Sequence, residues 1–234
     1  MKALVQKIIK SIVNIFIPLP IPQGKEYLEK ILGSKYDIKF IQIGSNDGKS
    51  GDPLRNHIIK NNWKGILIEP VHYIYEKLKE NYIGYHERLI FVNKAVANDN
   101  NPLKFYRLQE SSNPHLPEWY DQLGTFDKKT LLKHKNEIPN FDKLLVEEEI
   151  GVISIQELVK TYHFDDVNLI HIDTEGFDYE ILKLIPFKDI SVEILLFERK
   201  HLSKLKFLKA CLLLHKNNFT LYNIHEDTLG IRQV

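Results

Sequence analysis

The sequence predicts a doubly wound α/β domain: a mostly parallel sheet with helices on both faces and an antiparallel hairpin at its C-terminal end. Two observations carry that reading. From Ile38 onward, short and nearly continuous apolar runs alternate with helical-period segments, the pattern of parallel strands buried on both faces. Each run also stops at a polar or acidic residue: Gly44, Glu69, Asn93, Asp173 and Glu198. In such sheets the ligand lies beyond the carboxyl ends of the strands, so these stops mark a site.

The elements follow in order. Residues 25–34 read as a helix with Tyr27, Leu28, Ile31 and Leu32 on one face and Gly33 as its stop. The run Ile38-Lys39-Phe40-Ile41-Gln42-Ile43 is a strand, and 52–62 a helix with Pro53 in its first turn. Strand 65–68, helix 71–82 and strand 89–93 come next, an order that implies right-handed parallel crossovers. Residues 103–108 alternate as a strand. The stretch 109–150 reads as an irregular insertion with partial helix at 127–136, and long insertions of this kind often cover sites. Alternation then resumes: 153–161 starts as a strand and turns helical, 167–172 is a strand, 176–185 a helix, 192–197 a strand, 201–216 a helix and 219–233 a hairpin.

The length of 234 residues suits one domain at 38–234, preceded by a helical segment at 1–37. A formal net charge of +1 supplies no global field, so no nucleic-acid partner is expected. Cys211 is the single cysteine, which excludes an intrachain disulfide and suits a reducing, cytoplasmic setting. It stands among leucines and reads as buried packing. Within residues 1–17, Val5, Ile8, Ile9, Ile12, Val13 and Phe16 recur at helical spacing opposite Lys7 and Lys10. That segment is too short and interrupted to span a bilayer. It reads either as a peripheral membrane contact or as a helix packed on the domain.

The loop after the first strand is Gly44-Ser45-Asn46-Asp47-Gly48. Glycine there lets a ligand approach the backbone, and the amides of the following helix face it. Gly48-Lys49-Ser50 resembles the end of a phosphate loop, but Ile43 stands where that motif needs its first glycine. A dinucleotide fingerprint needs a middle glycine that this loop lacks. Asp47 would repel a pyrophosphate and attract the ammonium of an amino-acid ligand. Glu69, ending the second strand, is placed to accept both ribose hydroxyls of an adenosine. Asn93, with Ala95 after it, ends the third strand where an adenine would lie.

The runs Phe40-Ile41-Gln42-Ile43-Gly44-Ser45-Asn46-Asp47-Gly48, Gly65-Ile66-Leu67-Ile68-Glu69-Pro70 and Leu169-Ile170-His171-Ile172-Asp173-Thr174-Glu175-Gly176-Phe177-Asp178 resemble the FkbM-type family of S-adenosylmethionine-dependent methyltransferases. So does Val152-Ile153-Ser154-Ile155-Gln156-Glu157-Leu158. The resemblance covers about 40–180. It implies the Rossmann-like, seven-stranded class I sheet, S-adenosylmethionine as cofactor, and O-methylation of a sugar, glycoconjugate or natural-product hydroxyl. It implies cofactor contacts from Gly44, Ser45, Asn46, Asp47 and Gly48, ribose binding by Glu69 beside Pro70, and adenine-side contacts near Asn93 and Ala95. The family often has alanine where Ser45 stands and lysine where His171 stands, so no role of that lysine carries over.

A hydroxyl nucleophile must lose its proton, which needs a base or a metal. Asp173 lies beside the expected methyl position, as a cofactor contact and as general base or ligand to a hard cation such as magnesium. Glu175 is the second candidate for either role. If the strand continued, His171, Asp173 and Glu175 would share a face and converge. Helix capping, helix electrostatics and core burial are the plain structural alternatives for the three. His201 is placed to reach the same rim. Residues 109–150, with Trp119, Tyr120 and Phe126, are the expected cover for a small-molecule or glycan acceptor. Two other functions fit the fold: a nicotinamide-dependent oxidoreductase, and a non-catalytic adenosyl-binding module.

Overall fold

The structure, a computed structural model, describes residues 24–35, 37–98 and 101–233. The amphipathic segment read at 1–17 lies outside them. The described chain opens with α1 (Gly24–Gly33), β1 (Lys39–Ile43), α2 (Arg55–Lys60), β2 (Lys64–Ile68), α3 (His72–Asn81) and β3 (Leu89–Val92). A middle stretch holds β4 (Ala95–Val96), β5 (Leu103–Leu108), a 3-10 turn at Tyr120–Gln122, α4 (Lys128–Leu132), α5 (Phe141–Leu144), β6 (Leu145–Ile150) and β7 (Val152–Ile153). The rest runs through α6 (Ile155–Tyr162), β8 (Leu169–Ile172), α7 (Asp178–Leu182), β9 (Ile194–Glu198), α8 (Lys204–Lys216), β10 (Phe219–Ile224) and β11 (Asp227–Arg232).

Seven strands make one sheet in the order β10-β11-β9-β8-β1-β2-β3. All neighbours pair in parallel except β11, which is antiparallel to both β9 and β10. The order reverses between β1 and β8, which leaves a crevice at their carboxyl ends. Strand alternation sorts the core into two layers. Ile41, Ile43, Ile66, Ile170, Ile172, Leu195 and Phe197 face α6, α7 and α8, where Leu158, Leu182, Cys211 and Leu214 cover them. Phe40, Leu67, Leu169 and Leu196 face the other way, against Leu28 and Leu32 of α1, Ile58 of α2 and Leu78 of α3. Two polar residues interrupt that second face, Gln42 and His171. They are register partners on adjacent strands, at the end that opens on the crevice.

The helices start where side chains satisfy their free amides. Ser154 accepts from the Glu157 amide and Ser203 from the Lys206 amide. Three expected bounds move. The helix read at 52–62 begins only at Arg55, because Asp52 Oδ1 takes the Leu54 amide at 2.8 Å and holds Asp52 and Pro53 outside it. The helix read at 176–185 is confined to Asp178–Leu182. The insertion read as irregular ends in β6, antiparallel to β5. Its acidic run is neutralised across the strands, with Lys104 and Lys128 on Glu147 and Arg107 on Glu148. Among the described residues no helix is long and apolar enough to cross a membrane.

Candidate active site

The ends of β1, β2 and β8, the β3–β4 junction and the insertion enclose one cleft with about 990 Å³ of open space, its solvent mouth included.

The loop after β1 divides into two halves. Gly44, Ser45 and Asn46 line the cleft. Gly44 has φ 78°, and a Cβ there would stand 1.8 Å from the Asp173 carbonyl oxygen, so only glycine lets the ends of β1 and β8 meet. Ser45 is buried: its hydroxyl donates to the Gln42 carbonyl and accepts from the Ile68 amide, which locks the loop to β2. The Asn46 amide donates to Glu69 Oε2 at 3.0 Å. Asp47 and Gly48 lie outside the lining, a correction to their expected place. Asp47 Oδ1 accepts the amides of Lys49 and Ser50 and so closes its own turn. Gly48 faces α3, where a Cβ would meet Leu78 at 2.4 Å.

Glu69 is 6% exposed and lines the cleft. Its Oε1 accepts the Val71 amide at 2.8 Å while Oε2 holds Asn46. Burial raises its pKa to about 7, against the pull of those two amides. Each oxygen keeps a second lone pair free of these amides. Pro70 and Ala95 line the same wall. Asn93 does not: its amide nitrogen donates to the Glu69 and Pro70 carbonyls, so it braces the turn from behind.

Strand β8 ends at Ile172, so alternation does not carry His171, Asp173 and Glu175 onto one face. All three still line the cleft. Asp173 is exposed and lines the cleft. Desolvation, then the carboxylates of Glu175 and Asp178, raise its pKa well above the ordinary value. Glu175 sits in a left-handed turn at φ 48°, and its Oε2 lies 3.1 Å from His201 Nε2. His171 is buried, and desolvation lowers its pKa to about 4, so the ring is neutral. Gln42 Nε2 stands 3.0 Å from Asp52 Oδ1 and 3.2 Å from His171 Nδ1. With one amide hydrogen on each, Nδ1 accepts and the ring proton is on Nε2. His171 is therefore a hydrogen-bond donor here, whereas a base would need a free lone pair. The ligand atoms of Glu175, Glu198 and His201 lie within 4.8 Å of one another among the described residues; Asp173, expected to pair with Glu175 on a cation, is outside that group.

The insertion supplies part of the cleft's lining. Thr125 donates to the Glu175 carbonyl at 3.1 Å, and Phe126 packs on Phe177 at 4.8 Å between ring centres. Phe126 lines the cleft together with Asp121 and Gln122. Trp119 and Tyr120 pack instead in a separate apolar cluster with Leu131 and Phe141.

Sequence reasoning missed Gln42, Asp52, Phe105 and Asp121, all of them in the lining. An amide inside an apolar run was the available signal for Gln42. Asp121 gave none, because a tertiary contact brings it there.

A family profile described as Methyltransferase FkbM domain matches residues 42–221. The chain belongs to the FkbM methyltransferase family. No curated protein matches it. Among solved structures, the FkbM methyltransferase of Methylobacillus flagellatus KT is 14% identical at a TM-score of 0.48, covering 83% of this chain and 43% of its own. This chain thus spans less than half of that protein. An RNA methyltransferase from Salinibacter ruber, solved with S-adenosyl-L-homocysteine, is 11% identical at a TM-score of 0.43, covering 93% and 95%. The precorrin-6y C5,15-methyltransferase of Geobacter metallireducens is 10% identical at 0.42, covering 88% and 85%. In this FkbM domain the matched region begins at Gln42 and takes in the whole glycine loop, Glu69 and the Asp173–Gly176 turn.

Proposed function

We propose that this FkbM domain binds S-adenosylmethionine in the cleft and methylates a hydroxyl of a sugar-like acceptor. One observation carries the cofactor assignment, the charge of the lining. Five acidic side chains, Asp52, Glu69, Asp121, Asp173 and Glu175, line the cleft beside Lys94, while Lys77 pairs with Asp121 at 3.5 Å. In their ionised forms the acidic groups favour a sulfonium and an ammonium and oppose the pyrophosphate of a nicotinamide cofactor.

When bound, the cofactor supplies an activated methyl group, so the protein's work is alignment and proton removal. Glu69 holds the ribose hydroxyls with its free lone pairs. Ala95 and Val96 give the adenine an apolar wall. Asp173 takes the acceptor's hydroxyl proton from its place at the end of β8, in the lining of the cleft. His171 donates from Nε2 into the cleft and orients a polar group. Phe126 and Phe177 offer aromatic faces to the acceptor and exclude water. The test is incubation with methyl-labelled cofactor and a panel of glycans, read by mass shift. Label on a hydroxyl oxygen, lost in Asp173→Asn, is expected. Label on nitrogen or carbon alone would overturn the O-methylation assignment.

A further inference from the structure

We propose that Glu175, Glu198 and His201 form a site for a divalent transition cation of the manganese–zinc class. The inference goes beyond the methyl-transfer reading and does not depend on it. The three side chains come from the turn after β8, the end of β9 and the turn before α8. Gly176 makes their meeting possible: at φ 92° a Cβ would stand 3.1 Å from His201 Cβ, so glycine lets the histidine lie over the turn. His201 Nε2 is 3.1 Å from Glu175 Oε2 and 3.9 Å from Glu198 Oε1. Donors about 2.1 Å from a shared ion stand roughly 3.0–3.5 Å apart when adjacent, so small rotations bring all three onto one ion.

A second observation points to a missing partner. Glu198 Oε2 is buried without a hydrogen-bond partner, and Glu175 Oε2, also buried, meets only His201, without hydrogen-bond alignment. The His201 side chain is 9% exposed. The nearby cations are engaged elsewhere: Lys200 pairs with Glu226 at 3.0 Å, and Arg199 donates to the His225 and Asp227 carbonyls. Among the described residues no lysine or arginine pairs with Glu175 or Glu198. Buried carboxylates without partners are costly, and a divalent ion satisfies both. The imidazole donor selects a transition cation over magnesium, which demands an oxygen octahedron. Three protein ligands leave positions open, and Glu175 puts the ion at the edge of the cleft.

Chelator-treated protein titrated with Mn²⁺, Zn²⁺ and Mg²⁺, by electron paramagnetic resonance and calorimetry, tests the proposal. One Mn²⁺ per chain, displaced by Zn²⁺ and only weakly by Mg²⁺, is expected. E198Q and H201Q should each weaken binding by more than the roughly 10–100-fold typical of an outer-shell loss. Circular dichroism melts check that these variants fold. If they do not, ¹⁴N coupling to Mn²⁺ bound to the unaltered protein reads the His201 ligand directly. Absence of stoichiometric binding, full affinity in folded variants, or bound Mn²⁺ without nitrogen coupling would each overturn the site.

Discussion

Glu69 Oε2 accepts the backbone amide of Asn46 at 3.0 Å, which ties the end of β2 to the glycine loop after β1. The residue assigned to the ribose is therefore also part of the loop that shapes its pocket. Glu69→Ala removes both functions. Affinity for S-adenosylhomocysteine should fall by about 1–3 kcal/mol, the cost of leaving polar partners unpaired. Calorimetric titration of the variant checks this, and unchanged affinity would remove Glu69 from the ribose.

The same carboxylate gives a pH signature. Its folded pKa is about 7 against an ordinary 4.5, so the folded chain holds this proton more tightly than the unfolded one. Its stability contribution is thus fully present below about 4.5 and is lost as pH rises through about 7, a change of about 3 kcal/mol. Asp178, raised to about 7 by burial, acts in the same direction. Melting temperature of the ligand-free protein should fall between pH 5 and pH 8, and the slope should flatten in Glu69→Gln. Ribose hydroxyls favour the ionised form, so affinity for S-adenosylhomocysteine should climb over the same window. A melting temperature that rises throughout that range would contradict the burial of Glu69.

Gly44 bears on the β1–β8 junction. Its φ of 78° and the 1.8 Å approach to Asp173 predict that Gly44→Ala costs about 1–3 kcal/mol and displaces Asp173. Denaturant unfolding measures the first effect and turnover the second. A variant of full stability would mean that the strand ends can part freely.

Asp173 and Phe126 separate chemistry from acceptor binding. Asp173→Asn should abolish turnover and leave S-adenosylhomocysteine affinity within about twofold. Phe126→Ala should raise KM for the acceptor with little change in cofactor affinity, since Phe126 reaches the site from the insertion. Steady-state kinetics with both substrates varied distinguishes the two.

Most of the sheet was legible because strands buried on both faces write themselves as apolar runs, and the runs at 38–43, 65–68 and 167–172 overlap β1, β2 and β8. Glu69 was legible for the same reason, as the acid that stops a run. Asp47 lies outside the lining because its carboxylate closes its own turn, and an aspartate that does so and one that faces a ligand look alike in sequence. The acidic run at Glu147–Glu149 hid β6, since Lys104 and Arg107, which offset its charge, lie some forty residues away. His201 meets Glu175 only through the turn that Gly176 permits. Its spacing along the chain carries no trace of that contact.

The central claim is that an acidic, glycine-floored cleft selects an adenosyl amino acid over a dinucleotide. Parallel calorimetric titrations of the purified protein with S-adenosylhomocysteine and with NAD test it most directly. The account predicts one S-adenosylhomocysteine bound per chain and no heat from NAD. Saturable NAD binding without S-adenosylhomocysteine binding would contradict it.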